Sequence, residues 1–200
     1  MGLDLAQLKV APGLLPFYRS GLHYILKLSG PGTREESCDS SEIPQMDEFW
    51  LARLQRCDPP CRVVLTYWHL CLDVETGQDS EAASRATLFQ KILQSLNWPE
   101  GEYAFWPLSR SSEKGIVPDR ELFWAGIKAL KPEYVLFFGA RAAKALFPEH
   151  TPRYEKYEHE GILFFELPDP MDMLPDNRRA KNFVWNRLKS LPISDSSNAQ

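Results

Sequence analysis

Residues Lys131–Phe147 read KPEYVLFFGARAAKALF, and the fold class follows from them. Tyr134–Phe138 (YVLFF) is a five-residue apolar run bounded by turn signals, the pattern of a buried strand. Gly139 then permits a tight turn that side chains with a Cβ resist. The next residues, ARAAKALF, are small and helix-forming. A strand passing through a glycine straight into a helix is half of a parallel βαβ unit.

Working outward, the same alternation recurs. Arg62–Tyr67 (RVVLTY) reads as a first buried strand. Ser84 is placed to cap a helix with inner face Leu88, Ile92, Leu93 and Leu96. Tyr103–Trp106 (YAFW) is a second strand, ended by Pro107. Asp119 is placed to cap a helix that turns Leu122, Phe123, Ile127 and Leu130 inward. Ile162–Glu166 (ILFFE) is the last strand, and Asp176 is expected to cap a final helix burying Ala180, Phe183, Val184 and Leu188. Repeated strand–helix alternation predicts a three-layer α/β/α fold around a mainly parallel four-stranded sheet, with right-handed crossovers.

The flanks divide the chain. Residues 1–28 carry Leu15, Tyr18, Leu22, Ile25 and Leu28 at helical spacing, and predict a helical segment that docks on the body or binds a partner. Residues 29–46 are an acidic, polar linker, 47–193 form the α/β domain, and 194–200 lack any apolar anchor and are expected to be disordered. Phe49, Trp50 and Leu51, just after the linker, are either core or an exposed anchor. The chain has 23 Lys+Arg against 27 Asp+Glu, so a nucleic-acid role needs a local basic patch. No apolar stretch is long enough to span a bilayer, and no secretory leader is evident, so no membrane contact and a cytoplasmic address are expected. Cys57 and Cys61 stand at C-x3-C spacing, with Cys38 and Cys71 apart. Four tetrahedral ligands are not evident, so plain thiols and no metal or other cofactor are expected.

Ligands of parallel sheets bind beyond the strands' carboxyl ends. This directs attention to Trp68–Ala83, Pro107–Pro118, Gly139–Ala140 and Leu167–Pro175. The first carries His69, Asp73 and Glu75. A carboxylate there is either a general base acting on water or part of a solvated acidic loop. Neither GxGxxG nor a P-loop is present, which disfavours dinucleotide and NTP chemistry. At Gly139 a helix start could receive phosphate with help from Arg141 and Lys144, or could only pack tightly. In the fourth loop Asp169 lies between prolines, and the following helix opens with Arg178, Arg179 and Lys181, a phosphate-contacting patch or a solvated face.

The order of these pieces resembles the uracil-DNA glycosylase superfamily. KPEYVLFFGARAAKALF is similar to its "xPxVIxxLGxxAAxALL" unit; GQDSEAASRATLFQKILQSL and EYAFWPLSR resemble its first helix and second strand. Pro168–Leu174 followed by Val184–Leu188 stands where the family has an H-P-S-x-L-L loop and a W-x-x-L helix. The resemblance covers about residues 62–191 and implies the three-layer fold. At the family's catalytic positions this chain differs. Thr66–Leu70 replaces the G-E-x-P-G-like loop, Trp106-Pro107 stands where the uracil-reading Asn is found, and Asp169 and Met171 occupy the loop's His and Ser positions. An ionised Asp there would repel a developing uracil anion. The four cysteines do not match those of the iron–sulfur members.

The chain also resembles the family of the clamp-loader psi subunit, which has this fold without catalysis and binds partner proteins, one through an N-terminal peptide. These resemblances imply a non-catalytic binding or adaptor domain of DNA replication or repair, with DNA or repair proteins as partners and the N-terminal segment as a contact. The alternative they leave open is a divergent uracil-DNA glycosylase using Asp73 or Glu75 as base, with Asp169 and the Arg178/Arg179 helix positioning the sugar-phosphate.

Overall fold

The first strand, β1 (Val63–Tyr67), forms where five consecutive residues are apolar or β-branched, and all five are buried. The structure, a computed structural model, describes residues 46–193 apart from 56, 58, 59, 76, 78, 79, 100 and 150–155. The expected N-terminal helical segment 1–28, the linker up to residue 45, and the tail lie outside the described residues.

Four strands run parallel: β1, β2 (Tyr103–Phe105), β5 (Tyr134–Phe138) and β7 (Ile162–Leu167). Among the described residues the sheet has five strands rather than four. β6 (Lys156–His159) pairs antiparallel with β7, giving the order β2-β1-β5-β7-β6. KYEH is charged and largely exposed, as suits an edge strand that must not recruit another chain. It therefore carries no apolar signal. The expected loop Pro107–Pro118 likewise contains an antiparallel hairpin of β3 (Ser109–Ser112) and β4 (Gly115–Pro118), too polar to read as strands.

Helices cover both faces, because side chains alternate along each strand. On one face Tyr67 stacks on Phe89 of α3 (Ala82–Leu96), Phe138 meets the same ring edge-on at 5.0 Å, and Phe165 lies under Arg187 of α6 (Arg178–Lys189). On the other, Phe137 meets Phe164, and Phe164 packs on Trp124 of α4 (Arg120–Leu130). α1 (Glu48–Leu54) is capped by Asp47 and lays Trp50 against Trp106. α2 (Leu70–Glu75) follows β1, and α5 (Ala140–Leu146) follows β5. The core is thus an aromatic-rich sheet between two helical layers.

Local signals succeed unevenly. Leu122, Phe123, Ile127 and Leu130 are buried as expected, and Asp119 caps α4 by accepting from the Leu122 amide at 3.0 Å. Asp119→Ala should therefore cost about 1 kcal/mol, measured as a lower denaturation midpoint with unchanged slope. Ser84 is not a cap: α3 starts at Ala82 after Glu81, which makes no side-chain capping bond. Asp176 does not cap α6; Asn177 does, accepting from the Ala180 amide at 3.1 Å. Phe183 is 37% exposed rather than buried, whereas Val184 and Leu188 are interior. The Phe49–Leu51 cluster divides. Trp50 is core, Leu51 is half-buried and Phe49 is 39% exposed.

Candidate functional site

Because β1, β2, β5 and β7 run the same way, their carboxyl ends share one edge of the sheet. After β1 the chain passes through Trp68 and His69 into α2, so the expected acidic loop is partly helix. That helix turns Leu70, Cys71, Asp73 and Val74 inward. Asp73, the candidate base, is fully buried. Arg85, also fully buried, grips it as a fork: Nη2 lies 2.5 Å from Oδ1, and Nε donates to Oδ2 at 2.7 Å. The Tyr67 hydroxyl donates to Oδ2 at 2.7 Å. Burial and the Asp73 charge hold that phenol well above its ordinary pKa, so it remains a donor.

A general base must reach a substrate proton or a water. Asp73 is shielded from solvent and its oxygens serve Arg85 and Tyr67. The structure makes it an interior anchor in place of the exposed carboxylate that the loop reading anticipates. Arg85 itself was not singled out from sequence. Its signal is positional: it lies three and four residues before Leu88 and Phe89, on the inner stripe of α3. An arginine there needs an anionic partner.

Glu75 is elsewhere. It ends α2 and faces Asp47, Trp50 and Arg110 around a cavity of about 610 Å³ beside α1 and α4. Burial raises its carboxyl pKa, against a stabilising hydrogen bond from Trp50. The fold does not bring Glu75 and Asp73 together in one site.

Asp169 does lie at the strand-end edge. It caps the 3-10 turn Pro170–Met173, with Oδ1 accepting from the Met171 amide at 2.9 Å. Burial raises its pKa, while the Met171 N–H and the nearby His69 and Arg85 charges act in the opposite direction. Its other oxygen abuts the turn into α5: a Cβ at Gly139 would sit 2.5 Å from Oδ2. Gly139 has φ +95°, so both backbone and space call for glycine there. Asp169 thus joins the loops after β1, β5 and β7. Ionised, it supplies acceptors only, and an anion at this position would meet no donor from it.

Cations stand on the two helices that follow β5 and β7. The Arg141 guanidinium lies 4.0 Å over the Trp68 ring, and Lys144 projects from α5 one turn on. The Arg178 side chain is 88% exposed and lies 3.8 Å from Asp176. Arg179 is exposed. Lys181 bonds the Pro175 carbonyl and the Asp176 carboxylate. The basic residues named from sequence therefore occupy two helices, with Arg141 and Lys144 on α5 and the others on α6.

Among the described residues, no three His, Cys, Asp or Glu side chains converge as metal ligands. Cys61 donates to the Val63 carbonyl, and burial pushes its thiol up to about 12. Cys71 is buried beside Ser109, with a raised pKa from the same cause. Both thiols serve packing. Cys38 lies outside the described residues. No helix among them is long and apolar enough to cross a membrane. Compared with known proteins, the chain matches no family model, and no curated protein matches its sequence.

Proposed function

We propose that this chain is a non-catalytic nucleic-acid-binding domain with a three-layer, glycosylase-like fold, acting in DNA replication or repair. One observation carries the non-catalytic part: Asp73, the carboxylate best placed in sequence to serve as base, is sealed inside the protein by Arg85 and Tyr67. The basic margin formed by Arg141, Lys144, Arg178, Arg179 and Lys181 supports the binding part, since phosphate contact supplies most sequence-independent affinity. The N-terminal segment would serve as a contact for replication or repair proteins.

Two assays test this reading. Uracil release from single-stranded DNA should be undetectable, and turnover abolished by Asp73→Asn would overturn the non-catalytic reading. DNA binding at low salt should be lost in Arg178→Glu/Arg179→Glu with the melting temperature preserved, because both side chains face solvent. The wild-type log–log salt slope should be about one unit steeper per phosphate contact. A wild-type protein with no affinity for DNA at low salt would defeat the nucleic-acid reading.

A second reading, a divergent N-glycosidic hydrolase, draws on Asp169, a half-buried carboxylate set against Gly139 after the last parallel strand. It requires measurable base release that disappears in Asp169→Asn.

A further inference from the structure

We infer that a single-stranded nucleic acid runs along the groove between α3 and α6, with a base stacked on Trp185. The inference rests on the nucleic-acid reading above and names the form of the polymer and its path.

The groove holds about 610 Å³. One wall is a continuous helical stripe of α3: Ser84, Thr87, Leu88, Lys91, Ile92 and Ser95. These positions recur every three or four residues, so the stripe follows the helix for about 16 Å at 1.5 Å per residue. The other wall is Lys181, Asn182 and Trp185 of α6. Leu174 and Pro175 close one end, and they belong to the loop that carries Asp169. The groove therefore continues from the strand-end edge.

Two independent features say what it would hold. The first is charge. The chain has 27 acidic residues, yet neither α3 nor α6 contains one, and among the described residues no acid lines the groove. α6 carries Arg178, Arg179, Lys181, Arg187 and Lys189. Asp176 offsets part of this charge through Lys181, while Lys91 stands exposed on the opposite wall.

The second feature is Trp185. Trp50, Trp68, Trp98, Trp106 and Trp124 each have a ring or cation partner. Trp185 makes no ring contact, cation contact or hydrogen bond among the described residues, and it lies half-buried in the groove. An indole left out of the core, between walls that bear lysine and hydroxyl or amide groups, combines a stacking face with phosphate and base partners. This pairing binds single strands with little regard to sequence. A duplex keeps its bases stacked and would present none to the indole unless one were flipped out.

The test uses the full chain and fluorescence anisotropy with a labelled oligothymidylate at low salt. Trp185→Ala should weaken binding about tenfold, and Trp185→Phe should retain most of it. Lys91→Glu should weaken binding and flatten the salt slope by about one unit or more. An unlabelled duplex should compete much less well than an unlabelled single strand. Because Trp185 is outside the core, all three variants should melt with the parent. Unchanged affinity in Trp185→Ala, or a duplex that competes as well as the single strand, would overturn the proposal. Were Arg178→Glu/Arg179→Glu to lose binding while Trp185→Ala kept it, the groove alone would fall and the basic margin would stand. A parent with no DNA affinity would remove both.

Discussion

Arg85→Ala is expected to destabilise the domain by about 3–5 kcal/mol, enough to unfold much of a marginally stable population. The reason is the charge left behind. Asp73 is fully buried, and without the guanidinium its carboxylate keeps the Tyr67 hydroxyl as the remaining side-chain donor described for it. One neutral hydrogen bond does not replace a bidentate cation. Arg85→Lys should recover only part of the loss, since an ammonium is a point charge with no planar fork. Replacing both partners together, Asp73→Leu with Arg85→Met, should be much milder than either single change, because no buried charge is then uncompensated. Denaturant titration of the parent, Asp73→Leu, Arg85→Met and the double variant checks this. Independent, additive losses from the two sites would show that the pair is not coupled.

Gly126→Ala should also destabilise, by about 1–3 kcal/mol, although alanine is the better helix former. Gly126 is buried in the middle of α4, and an added Cβ would overlap the indole of Trp106. That indole has little freedom to move. It is 1% exposed, its Nε1 donates to the Leu122 carbonyl at 3.0 Å, and its ring meets Trp50 edge-on. Relieving the overlap means breaking that hydrogen bond or shifting α1. The check is a thermal melt with near-UV circular dichroism. A melting temperature at or above the parent's would show that the indole gives way freely.

The two substitutions probe features of different legibility. Apolar runs such as YVLFF (Tyr134–Phe138) and ILFF (Ile162–Phe165) specify their strands locally, because a stretch covered on both faces is mostly apolar. Gly139 was legible for a similar reason: the turn into α5 needs a positive φ and a position without Cβ. Polar strands leave no such trace. KYEH at the sheet edge and SRSS in the hairpin are held by backbone pairing, which every residue but proline can provide. Helix caps are ambiguous when good capping residues are adjacent. Asp176 and Asn177 both suit the role, and it is the Asn177 side chain that reaches the Ala180 amide.

Local residue patterns specify the alternation of strands and helices, the inward faces of most helices, and which four loops gather at the carboxyl ends of the strands. They also mark the basic residues of α5 and α6, most of which are exposed. The state of each carboxylate was decided only in three dimensions. Asp73, Glu75 and Asp169 are chemically alike in the chain, yet one is clamped by an arginine twelve residues away, one faces a different cavity, and one caps a turn against Gly139. Solvation and the nearest opposite charge set what a carboxylate can do. Both depend on neighbours that the backbone brings from separate elements, so neither is written in the residues on either side of it.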